Sequence, residues 1–364
     1  MDPATLENLI IKEIRKAKEI SRRDLAEGLG IAKSTAGRRI DSMIERGIVR
    51  ETGIEDRREV GRPRRFLDLR PDYGAFAGFD FDARYLHAVL VDFNLAPLER
   101  RRIPLPPSPD RDAVVALLRE TIGEFRSRKP RLRIHGFGIG VPGHVRRTEC
   151  LAVHYPYIKD WLNVRLDKSV GLARGKLHIE NNTRAIALGE YWLGPHTGTE
   201  HLLCLSVRTG ISAAFVVNGQ IVSGQNELAG EIRSWPVDAR RSLENAASVR
   251  AIVDDASLGS DRWTEFVDSC RSGDRKALGA LSTAARHHGE TLARLVTMLD
   301  PEAAFLCGPF TDLEELYLGK VRHAVSRALA DDDFNPPPIR PTTMGQFAGA
   351  FGAAALAAAE TRVA

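Results

Sequence analysis

The sequence predicts a small three-helix segment with a two-stranded appendage, followed by a two-lobed α/β body. Three observations carry this. Apolar residues recur at helical spacing as far as Gly47, whereas beyond Tyr73 they gather into strand-like runs. The net charge of +4 lies entirely in residues 1–70, which hold seventeen Lys/Arg against thirteen Asp/Glu, while the remainder balances at thirty-five of each. Finally, a strand–turn–strand pattern occurs twice, at Ala75–Phe81 with Tyr85–Phe93 and at Leu202–Val207 with Ile211–Val217.

Composition bounds the rest. A chain of 364 residues suits two or three domains at about 150 residues each. With 43% hydrophobic and 27% charged residues it reads as a soluble globular protein. No run approaches the ~20 apolar residues that cross a bilayer, and the first residues are charged where a signal peptide would be apolar. The expectation is a cytoplasmic protein with no membrane partner. Cys150, Cys204, Cys270 and Cys307 are widely spaced, which predicts buried free thiols, with neither disulfides nor a zinc ribbon.

In the N-terminal segment, Leu6, Leu9, Ile10 and Ile14 form one helical stripe. Ser21 with Asp24 three residues on is a capping-box-like start for a second helix, bearing Leu25 and Leu29 and ending in Gly28-Leu29-Gly30. A third helix opens at Ala32-Lys33-Ser34-Thr35, buries Ile40, Met43 and Ile44, and stops at Gly47. Ile48-Val49-Arg50 and Phe66-Leu67-Asp68-Leu69 then read as two strands around a polar loop. Three helices with a tight second turn and a β-wing make a winged helix-turn-helix, whose third helix points its N-terminal end into the major groove of DNA. Lys33, Ser34, Thr35, Arg38 and Arg39 are the candidate DNA contacts there. The wing adds Arg57, Arg58, Arg62, Arg64 and Arg65, shaped by Gly61 and Pro63 for a minor groove. Double-stranded DNA is the expected partner.

Past Tyr73, a third strand ends near Ile103 before a proline cluster, a helix spans Ala113 to Phe125, and a buried strand leads into a loop at Gly138-Ile139-Gly140-Val141-Pro142-Gly143. Asn218-Gly219 is a hairpin turn. A helix at Thr283–Met298 leads to a strand at Ala303–Leu306, and the small-residue run Gly349–Ala359 suits a close-packed helix. The paired His287-His288 would diverge by ~100° on a helix and so cannot share one metal face; both are expected to be ordinary surface or packing residues.

Taken in order and spacing, several motifs resemble those of the ROK family (repressors, open reading frames and kinases). In the body these are Gly138–Gly143, Glu180-Asn181-Asn182, Ala187-Leu188-Gly189-Glu190 and Ala229-Gly230-Glu231-Ile232. Ser21–Ala26, Ser34-Thr35 and Gly61-Arg62-Pro63 resemble its DNA-binding regulators. The resemblance implies an actin-like, ribonuclease-H-like sugar-kinase fold, with residues 71–180 as a small lobe, 181–345 as a large lobe, and a C-terminal helix at 346–362 packing back on the small lobe. It also implies a homodimer or homotetramer.

The chain departs from the family's kinases at each chemical motif. Asp80-Phe81-Asp82-Ala83-Arg84 stands where Asp-x-Gly-Gly-Thr lets the backbone approach ATP phosphates, and Arg208-Thr209-Gly210 replaces Gly-Thr-Gly. Asn182 occupies the position of the catalytic aspartate, and an amide takes no proton from a sugar hydroxyl near neutral pH. Ser234 replaces a zinc-binding histidine, and Val237–Glu244 contains no cysteine. No cofactor, no metal and no kinase activity are therefore expected. Asn181, Asn182, Glu231, Ser234 and Glu244 are the candidate contacts for a small carbohydrate-like effector. The expectation is a transcription regulator, probed against two alternatives: a residual sugar kinase with a DNA-binding domain, and a ligand-independent regulator whose body is only a dimer platform.

Overall fold

The computed structural model describes residues 3–17, 19–53, 65–128, 131–195, 199–255, 262–330 and 335–363. Helices α1 (Pro3–Lys16), α2 (Arg22–Gly28) and α3 (Lys33–Glu45) precede an antiparallel pair, β1 (Val49–Thr52) and β2 (Phe66–Leu69). The expected capping box is present: Ser21 Oγ accepts from the Asp24 amide at 3.3 Å, and the Ser21 amide donates to Asp24 Oδ2 at 3.2 Å. Gly30 and Gly47 take φ of +62° and +72°, which a side chain would strain, so the chain turns sharply after α2 and after α3.

The body opens with β3 (Ala75–Phe81), β4 (Tyr85–Asp92), β5 (Pro97–Pro104), α4 (Arg111–Arg128) and β6 (Ile134–Val141). A small antiparallel sheet follows, of β7 (His144–Arg146), β8 (Leu151–His154) and β9 (Leu162–Arg165), then α5 (Leu166–Val170), β10 (Leu177–Asn181) and α6 (Asn182–Leu193). The second half comprises β11 (Leu202–Val207), β12 (Ile211–Val217), β13 (Gln220–Ile221), α7 (Leu243–Ala247), α8 (Val249–Asp255), α9 (Trp263–Arg271), α10 (Arg275–Leu299), β14 (Ala303–Cys307), α11 (Glu315–Ala328), β15 (Ile339–Pro341) and α12 (Ala348–Glu360).

Both large sheets share one plan. The orders β5-β4-β3-β6-β10 and β13-β12-β11-β14-β15 each run third, second, first, fourth, fifth. In each, the first three strands are antiparallel and the last two join in parallel. This is the duplication that the repeated strand–turn–strand pattern predicts. Asn218 and Gly219 turn between β12 and β13 with φ of 51° and 69°, as expected.

Two boundaries differ from the sequence reading. The expected loop at Gly138–Gly143 is strand as far as Val141, because its glycines serve packing. A side chain on Gly138 would collide with the Ala353 carbonyl of α12, and one on Gly78 of β3 with that of Ala350. Helix α10 begins eight residues before Thr283, where Asp274 caps it by accepting from the Ala277 amide at 2.8 Å.

Helix α12 closes the first sheet. It is buried on all sides from Ala348 to Ala358, and it lies against β3, β6 and α6. Only small residues allow this approach: a side chain on Gly352 would run into the Ala185 carbonyl of α6. The opposite face of the sheet, with Ala77, Phe79 and Ile139, packs on Val114, Leu118 and Phe125 of α4.

The helix-turn-helix shares a core with this layer. One apolar cluster runs from Ile10, Ile14, Leu25 and Ile40 through Leu67 and Leu69 to Phe76 and Phe93, and on to Phe351 and Ala354 of α12. Arg15 pins the junction, donating to the Phe93 carbonyl at 3.0 Å with its guanidinium over the Phe76 and Phe93 rings. Burial lowers its pKa to about 10, against the pull of Asp92.

Gly352→Val is expected to lower stability by roughly 1–3 kcal/mol in urea unfolding, because overpacking forces α12 off α6 and the sheet. An unchanged midpoint would mean that α12 is not held by this close approach.

Candidate functional site

The cleft between the two sheets has an empty volume of about 450 Å³ counting its open mouth. Asp82, Gly143, Tyr155, Tyr157, Asn181, Asn182, Arg208, Glu231, Arg233 and Glu244 are among its walls. Four of the five expected ligand contacts therefore meet here. Ser234 does not: the turn closed by the Trp235 amide on the Ile232 carbonyl at 3.0 Å carries it to the exposed rim of a neighbouring depression.

At the floor, Arg208 joins the two halves. Its Nη1 lies 2.9 Å from Asp80 Oδ2 and its Nη2 3.3 Å from Asp82 Oδ2. Asp82 Oδ1 also accepts from the amides of Arg84 and Tyr85 at 2.7 and 3.0 Å, which fixes the β3–β4 turn. Asp80 is fully enclosed beside Gly349, in the first turn of α12, where a side chain would crowd its carboxylate. Burial raises the Asp80 pKa to about 6, against the Arg208 charge. The same two carboxylates hold the Arg208 guanidinium above its ordinary pKa despite its burial. The substitutions in the two loops are thus partners: the charge gained at Asp82 is answered by the charge gained at Arg208.

Asn181 ends β10 and caps α6, its Oδ1 accepting from the Thr183 and Arg184 amides at 2.9 and 3.3 Å. Its Nδ2 donates to the Gly143 carbonyl at 2.9 Å and reaches Glu231 Oε1 at 3.4 Å. Asn182 is buried at the first position of α6, where Thr183 Oγ1 donates to its Oδ1 at 3.5 Å. Thr183 also shares a 2.5 Å hydrogen bond with Ser212 Oγ on β12, a direct tie between the halves. Behind them, buried Glu180 accepts from Arg184 Nε at 2.6 Å and pairs with Arg147 at 3.2 Å.

The two cleft glutamates differ. Glu244 is occupied: Tyr157 Oη donates to Oε1 at 2.8 Å and the Ile211 amide to Oε2 at 3.2 Å. Glu231 is half-buried, and among the described residues its one side-chain donor is the distant Asn181 amide. Burial raises its pKa, opposed chiefly by the charges of Arg233 and Arg184. A desolvated carboxylate with free acceptor positions is suited to hydroxyl donors. Tyr155, Tyr157 and Arg233 are cleft residues that the sequence reading missed. For Arg233, the available signal was its position directly after the Ala229–Ile232 motif.

On the helix-turn-helix, Lys33, Ser34 and Arg38 are exposed at the start of α3, with Ser34 and Arg38 one turn apart, and Thr35 is half-exposed. Arg39 is half-exposed on α3, and its guanidinium lies 3.8 Å from the buried Glu7 carboxylate of α1, which Arg46 holds at 3.0 Å. Arg65 pairs with Glu51 at 2.9 Å and remains largely exposed. Arg57, Arg58, Gly61, Arg62, Pro63 and Arg64 lie outside the described residues. His287 and His288 are buried packing residues: His288 Nε2 donates to the Ala247 carbonyl at 2.9 Å and Nδ1 meets Tyr317 Oη at 2.9 Å. Among the described residues no cluster of His, Cys, Asp and Glu could hold a metal.

Arg208→Met tests the charge arrangement. With the cation gone, Asp80 and Asp82 are buried without it, and the loss is roughly 3–5 kcal/mol above pH 7. Asp80 titrates near 6 with Arg208 in place, and loss of that charge raises its pKa further, so protonation relieves the variant as pH falls and the deficit should shrink toward pH 6. A deficit independent of pH would contradict this.

Comparison with known proteins gives the geometry a family. Residues 76–360 match the ROK family and residues 5–50 match the winged helix-turn-helix DNA-binding family. A putative xylose repressor of Caldicellulosiruptor sp. (strain Rt8B.4) is 27% identical over 345 residues, covering 87% of this chain and 86% of its own. A glucokinase of Streptomyces coelicolor is 26% identical over 318 residues, covering 78% of this chain and 98% of its own. The crystal structure of a ROK family transcriptional regulator, a homologue of the E. coli MLC protein, shares the fold with a TM-score of 0.79 at 20% identity, over 99% of this chain and 97% of that one. With the body matched from end to end and a DNA-binding segment matched ahead of it, the chain belongs to the ROK family.

Proposed function

We propose that the chain is a DNA-binding transcription regulator, a repressor of carbohydrate-related genes, whose kinase-like body senses a small carbohydrate-like effector. The observation that carries this is the exposed polar start of α3 on a helix-turn-helix whose core continues into the body. Lys33, Ser34, Thr35 and Arg38 supply base and phosphate donors there. Likeness to xylose repressors over almost the whole chain supports the same reading.

A phosphotransferase reading is disfavoured by the cleft. Phosphoryl transfer rests on positioning and charge stabilisation of the phosphate. Here Asp82 stands in the first loop, and the Arg208 charge is already engaged by Asp80 and Asp82. Asn182 offers no base. What the cleft retains is a polyol-type site: Glu231 with spare acceptor capacity beside Asn181 and Glu244.

A route from this site to DNA exists in the packing. Asn181 caps α6, α6 packs on α12, and α12 shares the apolar cluster of the helix-turn-helix. An effector that closes the cleft would bias the setting of the DNA-binding segments, and 1–3 kcal/mol of coupling suffices. Operator recognition by a two-fold pair of such segments fits a homodimer or homotetramer.

Lys33→Ala combined with Arg38→Ala should abolish operator binding while leaving the melting temperature unchanged, read by gel shift and calorimetry. The native protein should lose affinity by orders of magnitude between about 50 and 200 mM salt. Undiminished binding by the double variant would overturn the placement of the DNA contacts. In the body, Asn182→Asp should yield no ATP-dependent sugar phosphorylation, since the phosphate loops remain altered; measurable product would restore the kinase reading.

A further inference from the structure

Beside the cleft lies a second depression of about 710 Å³ counting its open mouth, lined by Gly143, His144, His154, Leu228, Glu231, Arg233 and Ser234. Gly143, Glu231 and Arg233 line both spaces, so the two adjoin. The chemistry of the second differs from that of the first. Two imidazoles, a guanidinium and a hydroxyl face one carboxylate.

Arg233 is the unusual member. The other arginines around the cleft are engaged: Arg208 with Asp80 and Asp82, Arg184 and Arg147 with Glu180. Among the described residues, no hydrogen bond or ion pair ties the Arg233 guanidinium, although its charge acts on both Glu231 and Tyr157. An arginine fork left open at the junction of two cavities is matched to a planar or tetrahedral oxyanion. His144 Nε2 donates to the Asn226 carbonyl at 3.0 Å, which holds the ring in place on the same wall. His154, at the end of β8, and Ser234 are exposed to the same space.

We propose that the effector is an anionic carbohydrate, its hydroxyls held in the cleft by Glu231 and Asn181 and its oxyanion held in the adjoining depression by Arg233, His154 and Ser234. This rests on the effector reading above and adds the charge of the ligand. Ser234, which lies outside the cleft proper, then has a place in the site. A carboxylate or a phosphate satisfies the same donors, and Glu231 at the boundary sets the distance between polyol and anion.

Calorimetry on the full-length protein tests this with two sets of matched sugars: glucose, glucuronate and glucose 6-phosphate, and xylose, xylonate and xylose 5-phosphate. At least one charged member should bind about tenfold or more tightly than its neutral parent, a gap of about 1.4 kcal/mol. The carboxylate and phosphate arms show which oxyanion is preferred. Arg233→Gln should bring charged and neutral affinities within about threefold of each other, while Arg233→Lys should keep part of the gap. Neutral sugars binding as tightly as charged ones, or a preference that survives Arg233→Gln, would overturn the inference and leave the effector reading standing. Silence from all six sugars would overturn both.

Discussion

The pairing of Arg208 with Asp80 and Asp82 is the constraint on which the rest of the body depends. It places three charged groups at the floor of the cleft, drawn from β3, the β3–β4 turn and the loop between β11 and β12, so that neither sheet sets the position of the other alone. Removing ions from water costs several kcal/mol each, and such an arrangement persists only when its members answer one another. Here Arg208 faces both carboxylates, Asp82 also accepts two backbone amides, and Asp80 rests at the first turn of α12. In the family's kinases the corresponding loops are glycine-rich and face phosphates. On the reading advanced here, an internal cation has taken over the charge relations that a nucleotide would otherwise have.

Under the proposed function, the same region ties sensing to DNA contact. Asp80 abuts Gly349 at the start of α12, and Asn181 begins α6, the helix on which α12 lies. The small-residue contacts between these helices leave no slack, since Gly352 meets the backbone of Ala185 directly. Packed elements of this kind shift as units instead of deforming continuously. Arg15 and the shared apolar cluster then make the helix-turn-helix an extension of that layer, in place of a tethered domain.

Much of this was legible in the sequence, and unevenly so. The capping box at Ser21, the glycine turns, the duplicated hairpins and the Asn218-Gly219 turn are local signals, and local rules sufficed for them. What was missed depends on contacts distant in sequence. Gly138 read as a loop residue because a glycine in a strand is unfavourable unless another backbone comes close, and that backbone, α12, lies over two hundred residues away. The approach of Arg39 to Glu7, thirty-two residues earlier on α1, was likewise not encoded by any local pattern. Arg208 and Asp82 read as two separate losses, although opposite charges gained in two facing loops were a hint of their pairing. Tyr157 and Arg233 reach the cleft from a loop and a turn whose positions no periodicity encodes.

The central claim is that the Arg208–Asp80–Asp82 arrangement has displaced nucleotide from this cleft. Titration of magnesium-ATP into the full-length protein, followed by calorimetry, tests it most directly. The account predicts no binding up to millimolar concentration, with or without a sugar present. Saturable binding in the micromolar range would contradict it, because the phosphates would then have found positive charge that the structure assigns to Asp80 and Asp82.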